Sequence, residues 1–311
     1  MGSGKVATVA ELTIGAPQSA LNLTMFPLSG NPASSLGYLL IDEALKIKKV
    51  VVEEVSESGT VPELRMTNFL THHVLVIDGT ELVGAKQNRI VNASFIIPPE
   101  SVTKIPVSCV EQGRWRYKGK HFEESRYHSP HSVRREIHDH QKMSLKARLG
   151  HQSDQGKVWA RVAQISNQMD APTETGAIND VYEQRESSLR DYADKIHLKG
   201  TETGAAFFIG GRFVGLDLFD RPAPFLYLFP KLLMAVAVEA MMEDRNKARS
   251  PKSTAATKAK LSSVLKEIST SLFEKYEPVG VGEDWRYDGK LSFGKALHYG
   301  ADLIHFSAFG K

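Results

Sequence analysis

Residues 82–92 of this 311-residue chain read LVGAKQNRIVN, and their middle sets four consecutive polar side chains, Lys86, Gln87, Asn88 and Arg89, between two apolar, strand-like flanks. Two cations and two amides in a row supply many hydrogen-bond donors, the chemistry that suits an anionic ligand such as a phosphate or a nucleotide. In an extended strand Lys86 and Asn88 would share one side, Gln87 and Arg89 the other. An unpaired buried amide or charge costs about 1–3 kcal/mol or more, so the tetrad is expected at an edge, a bulge or the wall of a cavity. A solvated hairpin flank is the plain alternative.

A second cluster follows at 104–115, KIPVSCVEQGRW. On a strand its single thiol, Cys109, faces the same side as Glu111. A carboxylate neighbour discourages thiolate formation, so Cys109 reads as a small core residue before it reads as a nucleophile. Glu111, close to Arg114 and the flat indole of Trp115, is the more useful group: it could act as acid or base, hold a ribose hydroxyl, or simply pair with the arginine. Histidines concentrate in HFEESRYHSPHSVRREIHDHQ, residues 121–141, where His128, His131 and His138 with Asp139 superficially resemble a metal set. The spacing offers no HEXXH pattern, and His138 and His140 point to different sides of a helix, so a solvated, helix-starting segment is expected and no metal.

These groups need a frame. The length allows one large or two medium domains, and the net charge of +3 argues against a dedicated nucleic-acid binder. One cysteine excludes an internal disulfide and suits a reducing compartment. The first residues form neither a signal peptide nor a P-loop, and the apolar run 225–242 carries Pro230, Lys231 and Glu239, which favours a buried helix over a membrane span. A cytoplasmic protein is the expectation, with no cofactor and no membrane contact.

Strands are expected at 11–14, 21–25, 50–55, 74–77, 81–83, 90–97 and 105–110, with one helix over 38–46 and a tight hairpin at Asp78-Gly79. The period then changes to that of helices: Val133, Ile137, Leu145 and Leu149 mark a first stripe, Val158, Val162, Ile165 and Met169 a second, and Ile178, Val181, Leu189, Tyr192 and Ile196 a third, with Thr175 placed to cap it. A hairpin over 205–218, turning at Gly210-Gly211, precedes helices near 225–242 and 255–273, joined by the polar stretch DRNKARSPKS as an exposed loop. Strand-like sequence returns in WRYDGKLSFG. The fold class is α+β: a β-rich part at 1–125 carrying both clusters, and a helical part at 126–311 whose last strands return to the first sheet, the whole forming one compact unit. WRYKGK at 115–120 echoes WRYDGK at 285–290; two independent glycine turns account for this more simply than a duplication.

The words VPELRMTN, VLVIDGTELVGAKQNRIVN and IPVSCVEQGRW, in that order, resemble the domain named for its association with ADP-ribosylglycohydrolases and rhodanese-phosphatases, a family without an established activity. GRFVGLDLF and the apolar helix after it are similar to the rest of that domain, so the resemblance spans most of the chain. Thr80 stands where many members have an acidic residue. The resemblance implies a place in NAD or ADP-ribose metabolism and singles out Lys86, Gln87, Asn88 and Arg89 in one block and Cys109, Glu111, Arg114 and Trp115 in the other, without assigning roles. The combined expectation is a protein that binds, and hydrolyses or transfers, a small nucleotide-like molecule: Gln87 and Asn88 reading its edges, Lys86 and either Arg89 or Arg114 meeting phosphate, Trp115 stacking, and Glu111 as acid or base. A metal-dependent hydrolase built on the histidine segment, and a module for homo-oligomer contact without chemistry, are the alternatives.

Overall fold

The computed structural model describes residues 2–56, 62–245 and 255–311. Most of DRNKARSPKS lies outside the described residues. The protein is α+β, with antiparallel sheets and helices inserted between their strands. The chain divides into two compact units. One comprises Met1–Ser35, Ser187–Glu277 and Gly282–Lys311; the other comprises Leu36–Glu186 and Pro278–Val281.

The second unit holds both clusters. Its six-stranded sheet runs, in spatial order, Phe122–His128, Thr80–Gly84, Arg89–Val91, Ser101–Cys109, Glu63–Asn68 and Val50–Glu54. A three-stranded sheet of Phe95–Ile97, His73–Val76 and Tyr38–Leu40 packs with it around Val52, Leu64, Met66, Val76, Leu82, Val107 and Phe95. Burial along Val50–Glu54 alternates, with Val50, Val52 and Glu54 inward, as the period of a strand requires. Two expected elements divide. The run 90–97 is two strands in different sheets, Arg89–Val91 and Phe95–Ile97, and 38–46 is a short strand followed by the helix Ile41–Lys46. Gly79 does take the positive φ of a turn, +83°, but the strands on either side of it pair in different sheets, so Asp78-Gly79 switches sheets instead of closing a hairpin.

The histidine segment departs most from expectation. Residues Phe122–His128 form a strand of the main sheet and His131–Lys146 a helix, with His128, His131 and His138 buried instead of solvated. Alternation was hidden there by the density of charged and ring side chains. The helix Gln155–Gln168 starts at an Asp154 cap, and the Gln155 amide bonds both the N–H and the C=O of Cys109 at 2.8 Å. That double bond docks the helix on the end of the strand Ser101–Cys109.

In the first unit a ten-stranded antiparallel sheet is assembled, among the described residues, from both ends of the chain. Leu23–Ser29 pairs with Gly204–Ile209, which continues through Arg212–Phe219 to Asp302–Gly310, Ser292–Tyr299 and Glu283–Asp288. The closing strands therefore return to the opening ones, though not to the sheet that carries the clusters. At 11–14 a 3-10 turn, Ala7–Glu11, leaves only Thr13–Ile14 as strand. The helix Pro222–Arg245 is long and apolar enough to cross a membrane by composition, yet most of it is buried. Lys258–Thr270 is capped by Thr257 and packs Leu261, Val264, Leu265 and Ile268 on the core. The echoed words fold differently: Trp285 and Tyr287 belong to a strand, whereas Trp115 and Tyr117 lie in irregular chain with half their surface exposed.

Candidate functional site

The tetrad is a hairpin connection, but a buried one. Strands Thr80–Gly84 and Arg89–Val91 pair with Arg89 opposite Leu82, and Lys86, Gln87, Asn88 and Arg89 are all less than a tenth exposed. Loops normally stay in water because their backbone groups need partners. Here the second cluster provides them. Arg114 donates to the carbonyls of Gly84 (3.2 Å) and Ala85 (2.8 Å) and to Asn88 Oδ1 (3.1 Å). Glu111 accepts from the Asn88 amide at 3.0 Å, and its own carbonyl accepts from Gln87 Nε2 at 2.9 Å. Gly84 at φ +127° and Ala85 at φ +37° make the sharp entry to the loop; an alanine there is strained and persists only because its carbonyl is held. The two blocks thus form one hydrogen-bonded body.

Glu111 is the hub of that body. Its carboxylate takes Arg114 Nε at 2.8 Å and Nη2 at 2.7 Å, and Thr175 Oγ1 at 3.0 Å. Thr175 was expected to cap the following helix; its hydroxyl serves Glu111 instead, and Gly113 is glycine because a Cβ would lie 3.0 Å from the Thr175 backbone. Burial pushes the Glu111 carboxyl up, but the hydrogen bonds from Arg114 and Asn88, the Arg114 charge and Thr175 outweigh it and hold the group below its ordinary value. A carboxylate so placed is a clamp, with no oxygen left to exchange a proton with a ligand. Cys109 is fully buried, and burial raises its thiol despite the nearby Arg89 charge, so no accessible thiolate stands there.

One part of the body is left unmatched. Arg89 has no exposed surface; its Nη1 donates to Gln87 Oε1 at 2.7 Å, while Nε and Nη2 have no hydrogen-bond partner among the described residues. Nη2 lies 3.7 Å from Glu54 Oε1, too far for a hydrogen bond, and neither Glu54 oxygen takes a side-chain hydrogen bond among the described residues. Burial raises the Glu54 carboxyl, against the opposing charges of Arg89 and Lys86 and the pull of the Lys86 backbone amide. Glu54 also lines a cleft of about 790 Å³, together with Glu53, Arg65, Tyr117 and Lys120. Arg65 is paired with Glu53 across the strands at 2.9 Å. Lys86 Nζ sits 5.2 Å from the ring centres of both Trp115 and Tyr117, and Arg89 lies 5.7 Å from that of Trp115, within cation–π range. Both rings are about half exposed, Trp115 at 49% and Tyr117 at 50%.

Sequence reasoning located the two blocks and missed Glu54, Arg65, Tyr117 and Lys120. The signal was present for Glu54: VVVEE puts its second glutamate on the inward parity of Val50 and Val52, a place a carboxylate occupies only with a reason. Among the described residues no three His, Cys, Asp or Glu side chains converge as metal ligands.

No curated protein and no solved structure matches the chain. A family profile does match it, over residues 11–309, a span that includes both blocks, the Glu54 strand and the closing strands. The chain belongs to the ARG and Rhodanese-Phosphatase-superfamily-associated Protein domain family.

Proposed function

We propose that the Glu54 cleft binds a small nucleotide-like molecule related to NAD or ADP-ribose, and that Glu54, not Glu111, is the group able to exchange a proton with it. The observation that carries this reading is the Glu54 carboxylate: buried, without a side-chain hydrogen bond among the described residues, and set in the wall of a cleft of about 790 Å³, a volume ordinary for small-molecule sites. A ligand hydroxyl, such as those of a ribose, is the partner the Glu54 oxygens lack, and it reaches them only where the cleft wall opens, since neither oxygen has solvent contact in the structure. Arg65 and Lys120 stand on the same cleft and suit a diphosphate, and the exposed face of Tyr117 suits a base.

Lys86, Gln87, Asn88, Arg89, Arg114 and Glu111 then act behind the surface. Glu111 and Arg114 hold the loop, Gln87 hangs from the Glu111 carbonyl, Arg89 is steered by Gln87, and Arg89 sets the field at Glu54. The link to ADP-ribose chemistry rests on the family description, which names association with ADP-ribosylglycohydrolase-type proteins. Calorimetric titration with ADP-ribose, NAD, ADP and ribose 5-phosphate tests the reading. Binding of a member of this set that weakens in Glu54→Gln and Tyr117→Ala supports it. No heat with any of them at millimolar concentration, while acrylamide still quenches Trp115 and shows the face open, removes it. A change of oligomeric state in Tyr117→Ala without any ligand effect would instead make this face a contact between copies.

A further inference from the structure

Trp115 and Tyr117 stand on the irregular chain that follows Arg114, and one ammonium backs both rings. Lys86 Nζ lies 5.2 Å from each ring centre, and the Arg89 guanidinium lies 5.7 Å from that of Trp115. Lys86 is 8% exposed and Arg89 0%, whereas each ring keeps about half its surface in solvent. The charges therefore sit on the protein side of the rings, and the open surface is the side away from them. Tyr117 forms part of the wall of the Glu54 cleft. The arrangement is held by the loop clamp: Arg114 Nη1 donates to the carbonyls of Arg116 and Ala85, both at 2.8 Å, and the Lys118 amide donates to the Ala85 carbonyl at 2.9 Å. The chain between the rings is thus tied, directly and through Arg114, to the connection that carries Lys86. Ring and cation are placed before any ligand arrives, so little ordering remains to oppose binding.

That pairing bears on which base suits the cleft. The face of an aromatic ring is negative and attracts cations. Here Lys86 answers that attraction from behind, which draws electron density inward and leaves the open face of Tyr117 suited to a neutral, electron-rich ring. A cationic ring laid on the same face would meet the like charge of Lys86 through the thickness of the tyrosine. The surroundings carry the same sign. Lys120 lines the cleft and forms no ion pair among the described residues. Of the two acids on the wall, Glu53 is paired with Arg65 at 2.9 Å, and Glu54 is buried facing Arg89.

Resting on the reading of this cleft as a nucleotide site, we infer that it recognises the purine end of its ligand, stacked on Tyr117, and rejects the pyridinium of an oxidised nicotinamide nucleotide. Lys86 is then a specificity-determining residue that acts without touching the ligand, by setting the electron demand of the ring that does. A dinucleotide carrying both rings would bind through its adenosine half and leave its nicotinamide outside.

Four ribose 5-phosphates separate the base from the sugar and phosphate: AMP, UMP, nicotinamide mononucleotide and ribose 5-phosphate itself, each titrated calorimetrically into the full chain beside ADP-ribose. AMP is expected to bind tightest of the four, with ribose 5-phosphate about tenfold weaker, UMP between them, and nicotinamide mononucleotide no tighter than ribose 5-phosphate. Tyr117→Ala, at an exposed position, should bring AMP down to ribose 5-phosphate, and Tyr117→Phe should keep most of the difference. Lys86→Gln should narrow the ratio of AMP to nicotinamide mononucleotide affinity several-fold; the wild-type ratio and the two Tyr117 variants decide the matter where that substitution disturbs the loop. UMP or nicotinamide mononucleotide binding as tightly as AMP, AMP no tighter than ribose 5-phosphate, or an AMP preference untouched by Tyr117→Ala would each overturn the inference, while binding of ADP-ribose would still uphold the nucleotide site. Silence from all five ligands at millimolar concentration would remove site and inference together.

Discussion

Arg89 holds Glu54 across 3.7 Å in a place where both are buried and neither is hydrogen-bonded to the other. A buried charge that loses its partner is more costly than the pair is worth, by about 3–5 kcal/mol in typical cases. Glu54→Gln and Arg89→Met should therefore each destabilise the protein, and the double variant should be more stable than their sum implies. Urea denaturation of the four proteins gives the coupling. Additivity within about 0.5 kcal/mol would show that the two groups do not sense each other.

The two glutamates should respond to acid with opposite signs. Glu111 is held below its ordinary value of 4.5, so its stabilising contribution is complete above that pH and is lost as pH falls through the folded value. Glu54 is raised above 4.5, so its contribution is present below that pH and is lost as pH rises through the folded value. Wild-type stability should therefore fall on the acid side more steeply than that of Glu111→Gln, whereas Glu54→Gln should remove a term that grows toward acid. Denaturation midpoints followed from about pH 3 to 7 would show the contrast; parallel curves for all three proteins would contradict both assignments.

Arg114 makes bonds that lysine cannot reproduce. Its guanidinium reaches both Glu111 oxygens, Asn88 Oδ1 and the Gly84, Ala85 and Arg116 carbonyls. Arg114→Lys keeps the charge but loses the fork, and should destabilise by about 3 kcal/mol, with Arg114→Ala somewhat worse. Amide hydrogen exchange should localise the loosening to residues 84–88. A loss spread evenly over the second unit would argue against a loop clamp.

Ligand affinity should follow the cleft wall and not the sequence blocks as such. Tyr117→Ala and Lys120→Ala, on exposed chain, are expected to weaken a bound nucleotide-like ligand by about 1–2 kcal/mol each with little change in stability. Gln87→Ala should cost stability and act on the ligand only through Arg89. If Gln87→Ala abolishes binding in a protein of unchanged stability, Gln87 itself touches the ligand.

Gly79 offers a test of the frame. At φ +83° a Cβ would stand 2.4 Å from His128 Cε1 and 2.7 Å from Arg134, whose guanidinium grips Asp78. Gly79→Ala should lower stability by about 2 kcal/mol or more through backbone strain and this clash, read as a lower urea midpoint. An unchanged midpoint would mean the sheet switch at 78–79 relaxes freely.

Local order in the chain was enough to reveal several features, because propensity and periodicity act over neighbouring residues. The α+β class, the hairpin at Gly210-Gly211, the helix stripes at Val158, Val162 and Ile165 and at Ile178, Val181 and Leu189, and the two polar blocks are all visible in the sequence. Even Glu54 was marked by parity, on the inward side of VVVEE. What only the tertiary structure decided was partnership. Whether Lys86–Arg89 faces water depends on Arg114 arriving from 25 positions after Arg89 to cap the carbonyls of Gly84 and Ala85 just before it, whether Glu111 can move a proton depends on Thr175 and Asn88, and how Glu54 is matched depends on how far Arg89 stops short of it. Hydrogen bonds and charges act across a few ångströms of space while the chain orders residues along its length, so the same side chain is a clamp or a reactive group according to neighbours that pattern alone does not bring together.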